Sequence, residues 1–394
     1  MVKIPPKFLI PQFMTAHFSH HVCTGVLVPL LPILRESFGL TYFQSGILVS
    51  SFSLSYGIGQ VPLAVLADWF SRRKIVILGL ILISLTGIGV SMTNAYSQMI
   101  PIFIAMGIIG GTYHAPASSY MSQALPVASR GRGLGLHVTG GAASFLVTPA
   151  IALGIAALSG TWRASFFILA LPALIVGLIL WFTTEEIQGD IEDPSPAAAS
   201  EREKQNNVSW MQIIRSIGIV VFLSLFMQLV FASVNTYLPL FIVDQHGVSP
   251  KLAGIVISLI AGTGIVGAPL GGMLSDKIGR KQVIVLALAT VGPLFFAVIY
   301  APFGILLFLS LMMYGFMTTM RMPAMESLIA DVVPVGRRTT VLGIYFFIGM
   351  ETAGLTTPLV GRLIDLYGLN PVLSGLASGL CVVAVIALLL RNRI

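Results

Sequence analysis

The chain has 394 residues, 56% of them hydrophobic and only 9% charged, and its mean hydropathy is +0.93. Water-soluble globular chains carry about a quarter charged residues, so this composition excludes that class. The net charge of +7 does not point to nucleic acid, because the bases sit at the ends of apolar runs; Cys23 and Cys381, at opposite ends of the chain, make neither a disulfide framework nor a zinc site.

Taken in order, the sequence predicts an all-α integral membrane protein. Met1–Lys7 is short and basic, and the apolar run behind it is too long, and lacks the small-residue site, for a cleavable signal peptide. Apolar runs then predict twelve spans, near 8–34, 43–67, 75–95, 99–121, 133–158, 163–184, 217–243, 250–274, 282–301, 303–328, 339–361 and 370–391. Residues 185–216 separate two six-helix bundles, 1–184 and 217–394. Glu185–Ser209 is rich in acid, Ser, Pro and Ala and reads as a flexible cytoplasmic tether, with a short surface helix near Val208–Ser216.

The bases test this map. With the N-terminus inside, seventeen fall on the cytoplasmic side, and only Arg35, Arg163, Lys251 and Arg362 fall outside. Arg321 remains within a span. That bias predicts both termini in the cytoplasm and a multi-pass protein of the cytoplasmic membrane.

The two bundles repeat. Leu31-Pro32 corresponds to Leu238-Pro239, Ser50 to Ser258, Pro116 to Pro323, Arg130 to Arg337 and Thr148-Pro149 to Thr357-Pro358, at an offset of about 208. A charged loop between spans 8 and 9 carries Gly272, Asp276, Gly279, Arg280 and Lys281. Its weaker copy between spans 2 and 3 keeps Asp68, Arg72 and Arg73, with Ala64 and Ser71 in place of the glycines and Trp69 in place of the first base. Gly272 is expected to let two helices approach closely, Gly279 to permit a tight turn, and Asp276 to cap a helix or pair with Arg280. This Gly-x-x-x-Asp-Arg/Lys-x-Gly-Arg-Arg/Lys loop, repeated in each half, resembles the signature of the major facilitator superfamily, and the resemblance covers essentially the whole chain. It implies alternating access around a midplane site, with these loops as gating elements, in a fold that usually works as a monomer.

Ionisable groups inside spans cost about 2.5–3.5 kcal/mol to insert, so each asks for a reason. They are His17, His20 and His21 in span 1, His114 in span 4, His137 early in span 5, Arg321 and Glu326 in span 10, and Glu351 in span 11. Arg321 keeps its charge and offers a planar fork to a carboxylate or phosphonate. The bland alternative is a structural pair with Glu326 or Glu351. His114-Ala115-Pro116 aligns with Arg321-Met322-Pro323, and the resemblance places spans 4 and 10 on one central cavity, so His114 and Arg321 would face each other. His17 and His21 share a helix face and could hold a transition metal with His114. No run of acids or thiolates accompanies them, so the expectation is substrate-contacting histidines and no metal. Asn235 is a further cavity candidate, as is Gln60, and His137 reads as structural.

Within the superfamily, His17-Phe18-Ser19-His20-His21, Gly110-Gly111-Thr112-Tyr113-His114-Ala115-Pro116 and Gly140-Gly141 resemble the fosmidomycin-resistance branch, which implies proton-coupled efflux of a phosphonate or related drug. An acid common in that branch is replaced here by His21, Ile102–Gly111 contains no arginine, and Thr148-Pro149 replaces a Gly-Pro pair. The expected proton carrier is therefore Glu351; Glu326, the second acid considered, reads as a gating or interfacial group. No Gly-x-x-x-x-Gly-Lys-Ser/Thr motif or other cofactor signature occurs, and no nucleophile–base pair suggests an enzyme. The expected partners are a small organic anion or drug, protons and the lipid bilayer, with organic-anion uptake by symport or exchange as the alternative function and metal or cationic-drug export third.

Overall fold

The computed structural model describes residues 6–125, 127–186, 210–333 and 335–390; the side chains of Asp68, Arg130, Arg132, Arg337, Arg338 and Glu351 lie outside the described residues. Helices account for almost all of them, as they must where no water can satisfy a backbone in hydrocarbon. In chain order they are α1 (Pro6–Thr24), α2 (Leu27–Phe38), α3 (Tyr42–Trp69), α4 (Arg72–Ser91), α5 (Tyr96–Gly110), α6 (His114–Ala124), α7 (Val127–Ser159) and α8 (Trp162–Thr183). The second half holds α9 (Trp210–His246), α10 (Pro250–Ile278), α11 (Arg280–Tyr300), α12 (Ile305–Val332), α13 (Val335–Tyr367) and α14 (Leu369–Leu389). Among the described residues, ten segments are long and apolar enough to cross a membrane.

Predicted spans 1 and 4 are each two helices joined at a break. The cause is the same in both. Pro29 and Pro116 have no N–H for the carbonyl four residues earlier and push their rings into it. Those carbonyls belong to Gly25 and Thr112, and the chain unwinds at Gly25-Val26 and at Gly111-Thr112-Tyr113. Pro323, the repeat partner of Pro116, does not break its helix: α12 runs on through it. The short surface helix expected over Val208–Ser216 is not a separate element. Trp210–Ser216 forms the first turns of α9, because no proline or glycine interrupts the run into Ile217.

Two compact units emerge. The first holds α1–α8 together with Leu238–Ser258 and Thr357–Gly361; the second holds the rest of α9–α14. Within the first, the C-terminal end of α9 is fastened by Asp244, which forms an ion pair with Arg35 and accepts from the Tyr42 hydroxyl, while Arg35 stacks 4.1 Å over the Tyr42 ring. Ser258 on α10 accepts at 3.0 Å from the N–H of Ala150, next to Pro149 inside α7.

The repeat is visible in the packing. A Cβ on Gly59 would lie 2.6 Å from the Ile108 carbonyl oxygen, and one on Gly107 2.3 Å from that of Phe52, so α3 and α5 touch backbone to backbone. At the equivalent register in the second unit, Gly267 meets Thr319 Oγ1 at 2.4 Å and Gly315 meets Thr263 Oγ1 at 2.7 Å, joining α10 to α12. The charged turns differ in a way their sequences explain. Gly279 sits at φ +104°, in the left-handed region that favours glycine. Ser71, its counterpart, keeps extended backbone and caps α4 by accepting from the Lys74 N–H at 3.0 Å. The close approach expected of Gly272 falls instead on its neighbour: a Cβ on Gly271 would strike the Met320 carbonyl at 2.1 Å, whereas one on Gly272 meets nothing nearer than Pro323 Cβ at 3.9 Å. The helix turns by 100° per residue, and α12 lies on the Gly271 side.

Candidate functional site

In the first unit five histidines converge. α1 carries His17, His20 and His21 on two adjoining faces, α6 opens with His114, and α7 contributes His137. The break before α6 brings consecutive residues onto α1: the Tyr113 ring stacks on His20 at 4.8 Å and the His114 ring lies 5.2 Å from His21. His17 stands 4.9 Å from His21, 5.0 Å from His114 and 4.3 Å from His137, ring centre to ring centre. The three histidines expected to act together, His17, His21 and His114, are thus in contact. His137, expected to be merely structural, joins them.

Hydrogen bonds orient this group. His17 Nδ1 lies 2.8 Å from the His137 carbonyl oxygen, which can only accept, so Nδ1 carries a proton. Its Nε2 is buried and has no partner. The Tyr113 hydroxyl donates to the Phe13 carbonyl at 3.1 Å and therefore accepts from His137 Nε2 at 3.2 Å. The Gly140-Gly141 pair makes room: a Cβ on Gly140 would sit 2.1 Å from the Met14 carbonyl, and one on Gly141 2.7 Å from the His17 ring. Phe145 closes the cluster 4.8 Å from His21.

In the second unit Arg321 is completely buried at 0% exposure. It donates from Nη1 to the Tyr345 hydroxyl at 2.7 Å and from Nη2 to Gln228 Oε1 at 2.9 Å, and its Nε has no acceptor. It thereby ties α12 to α13 and α9 through neutral groups. No ion pair forms between Arg321 and Glu326, which is half-buried farther along α12. Glu351, the other expected acid, lies on α13 with its side chain outside the described residues. His114 and Arg321 belong to different units, and each is placed within its own. Asn235 is exposed on α9.

The residues of the two charged loops, expected to act as gates, form local networks. In the second unit Arg280 pairs with Asp276, reaches Asp331 on α12 at 3.3 Å and donates to Ser275 Oγ at 3.0 Å, while Lys281 is exposed. In the first, Arg72 opens α4, Arg73 donates to Thr184 Oγ1 at 2.9 Å and lies over the Trp181 ring, and Ser71 donates to Glu186. Asp68 lies on the last turn of α3, its side chain outside the described residues. Sequence reading overlooked Gln228, Tyr345 and Tyr113. Each is a polar side chain inside a long apolar run, the signal that did single out Gln60 and Asn235.

The model of the Major Facilitator Superfamily matches residues 13–354. A probable sulfoacetate transporter of Cupriavidus necator is 26% identical over 271 residues, spanning 64% of this chain and 60% of that protein. The fosmidomycin resistance protein of Escherichia coli is 22% identical over 360 residues, 89% of this chain and 84% of that one. A bacterial homolog of the human lysosomal transporter Spinster, in an inward-facing and unoccupied conformation, superposes with a TM-score of 0.82 at 17% identity, covering 98% of this chain and 97% of its own. A match across most of the chain, with helices and signature loops in the order that family requires, makes this protein a member of the Major Facilitator Superfamily.

Proposed function

We propose that this chain is a twelve-span secondary transporter that exports a small organic anion or drug by proton-coupled alternating access. It works as a monomer in the cytoplasmic membrane, with bundles at 1–184 and 217–394, residues 185–216 between them, and both termini in the cytoplasm; it is a carrier and not an enzyme. α3 and α13, 28 and 33 residues long, complete the twelve spans. The positive-inside bias supports the orientation.

The observation that carries the substrate class is the buried Arg321 cation, whose neighbours among the described side chains are neutral. A guanidinium offers five N–H donors, and two neutral acceptors leave both charge and hydrogen bonds incompletely compensated. Gln228 is partly exposed and its amide oxygen covers Nη2, so an anion displacing that amide reaches the fork. A relative named for sulfoacetate and another named for fosmidomycin resistance support an anionic substrate. The histidines of the first unit, with Asn235 on α9, supply further polar contacts. The test is a thermal-shift panel of carboxylates, sulfonates and phosphonates on the detergent-purified protein, followed by flux in proteoliposomes. Stabilisation by lipophilic cations alone would reject the anionic class.

The same anchor serves uptake by symport or exchange, and the direction of flux under an imposed pH gradient decides between them. Glu351 is the proposed proton carrier, with Glu326 as a gating group. Glu351→Gln is expected to abolish proton-driven accumulation while counterflow of substrate persists. Accumulation that survives this change assigns the proton elsewhere.

A further inference from the structure

We propose that His17, His21 and His114 form a transition-metal site. One ring nitrogen from each lies within 4.8 Å of the others. Nitrogens bound about 2.0–2.1 Å from a tetrahedral zinc ion stand roughly 3.4 Å apart, so small side-chain rotations close the triangle. The sequence argued against metal because no acid or thiolate accompanies the histidines. Imidazole needs neither: neutral ring nitrogens suit Zn²⁺, Cu²⁺ and Ni²⁺.

Three features distinguish this group from histidines that happen to be neighbours. The bond from His17 Nδ1 to the His137 carbonyl fixes which nitrogen is protonated and leaves the Nε2 lone pair for a ligand. Backbone carbonyls orient metal-binding histidines in this way. That Nε2 is buried and lacks any partner, a cost that a bound cation removes. Finally, the ligands come from two helices whose rings already touch: His17 and His21 are one turn apart on α1, and His114, at the first turn of α6 behind the break, lies 5.0 and 5.2 Å from them, ring centre to ring centre. Three imidazoles leave a fourth coordination position, open to water or an anionic oxygen. The site lies wholly within the first unit, so it stands or falls independently of Arg321.

The experiment titrates Zn²⁺ and Ni²⁺ into the full-length protein in detergent, purified without a polyhistidine tag. The expected result is one equivalent bound in competition with a chelator, with an X-ray absorption shell of at least three nitrogens at about 2.0–2.1 Å for zinc. His17→Ala, His21→Ala and His114→Ala should each weaken binding by at least about tenfold to a hundredfold, the range that follows loss of even an outer partner. His246→Ala, outside the cluster, should not. Failure of the wild type to bind a stoichiometric ion, an all-oxygen shell, or undiminished affinity in His21→Ala/His114→Ala would each overturn the proposal. The absorption measurement needs only the wild type, so a variant that fails to fold does not protect the idea.

Discussion

Arg321→Met is expected to abolish anion-induced stabilisation while leaving the ligand-free protein about as stable as before. The two halves of this expectation have separate causes. The side chain is fully buried, and its hydrogen bonds to Tyr345 and Gln228 are to neutral groups. A buried charge with no counter-charge among the described side chains is expensive, and replacing it with an apolar chain of similar length removes that cost at the expense of two unpaired acceptors. These terms oppose each other, so the net change in melting temperature is small. The anion, in contrast, loses its fork. Charge-assisted hydrogen bonds are worth about 1.5–3 kcal/mol each, which converts to a roughly 10- to 150-fold loss of affinity for every bond removed. Arg321→Lys restores a point charge without the planar geometry and should recover only part of the binding. A thermal-shift series on the three proteins, with and without carboxylates or sulfonates, separates the roles. If Arg321→Met unfolds the protein yet Arg321→Lys binds anions normally, the residue is a cross-brace between α9, α12 and α13 and the anion site lies elsewhere.

Adjacent glycines should respond in opposite directions. Gly271→Ala is expected to lower the melting temperature, and Gly272→Ala to leave it unchanged or raise it. At Gly271 the new methyl would meet the Met320 carbonyl oxygen at 2.1 Å and Met320 Cγ at 2.7 Å. A backbone oxygen cannot rotate away, so α10 and α12 must separate, at an overpacking cost of about 1–3 kcal/mol. At Gly272 the methyl meets only Pro323 Cβ at 3.9 Å, and alanine recovers up to about 1 kcal/mol of helix propensity. The chain contains its own precedent: at the equivalent register the first half carries Ala64 opposite Gly272 and Leu63 opposite Gly271. A small residue lies across from this stretch of α3 instead, in the break after α5, where a Cβ on Gly111 would lie 2.7 Å from the Gln60 nitrogen. Equal destabilisation by the two substitutions would show that the signature glycine is itself an α10–α12 contact in solution.

Whatever depends on local composition was readable without coordinates. Apolar run length predicted an all-helical membrane protein and the approximate place of its long helices, because a bilayer imposes a minimum length on every span. The offset of about 208 exposed the duplication, and the loop from Gly272 to Lys281 identified the family. The turn at Gly279 was legible too, since a glycine between a helix end and a basic run has one common use.

Whatever depends on direction around a helix was not. Gly271 and Gly272 are indistinguishable as letters, and only the position of α12 selects the one that packs. Pro116 and Pro323 align, yet a break precedes the first and a continuous helix runs through the second, so the proline alone does not decide it. The structural alternative for Arg321 named Glu326 or Glu351; among the described side chains the structure supplies Gln228 and Tyr345, neutral groups 93 and 24 residues away in sequence. His17 and His21 could be placed on one helix face by counting, whereas their meeting with His114 and the orphaned His17 Nε2 arise from contacts between α1, α6 and α7. The sequence by itself determined a duplicated helical membrane carrier, since composition and periodicity act along the chain. Tertiary structure alone decided which polar groups lack partners, since that is a property of what packing brings near them.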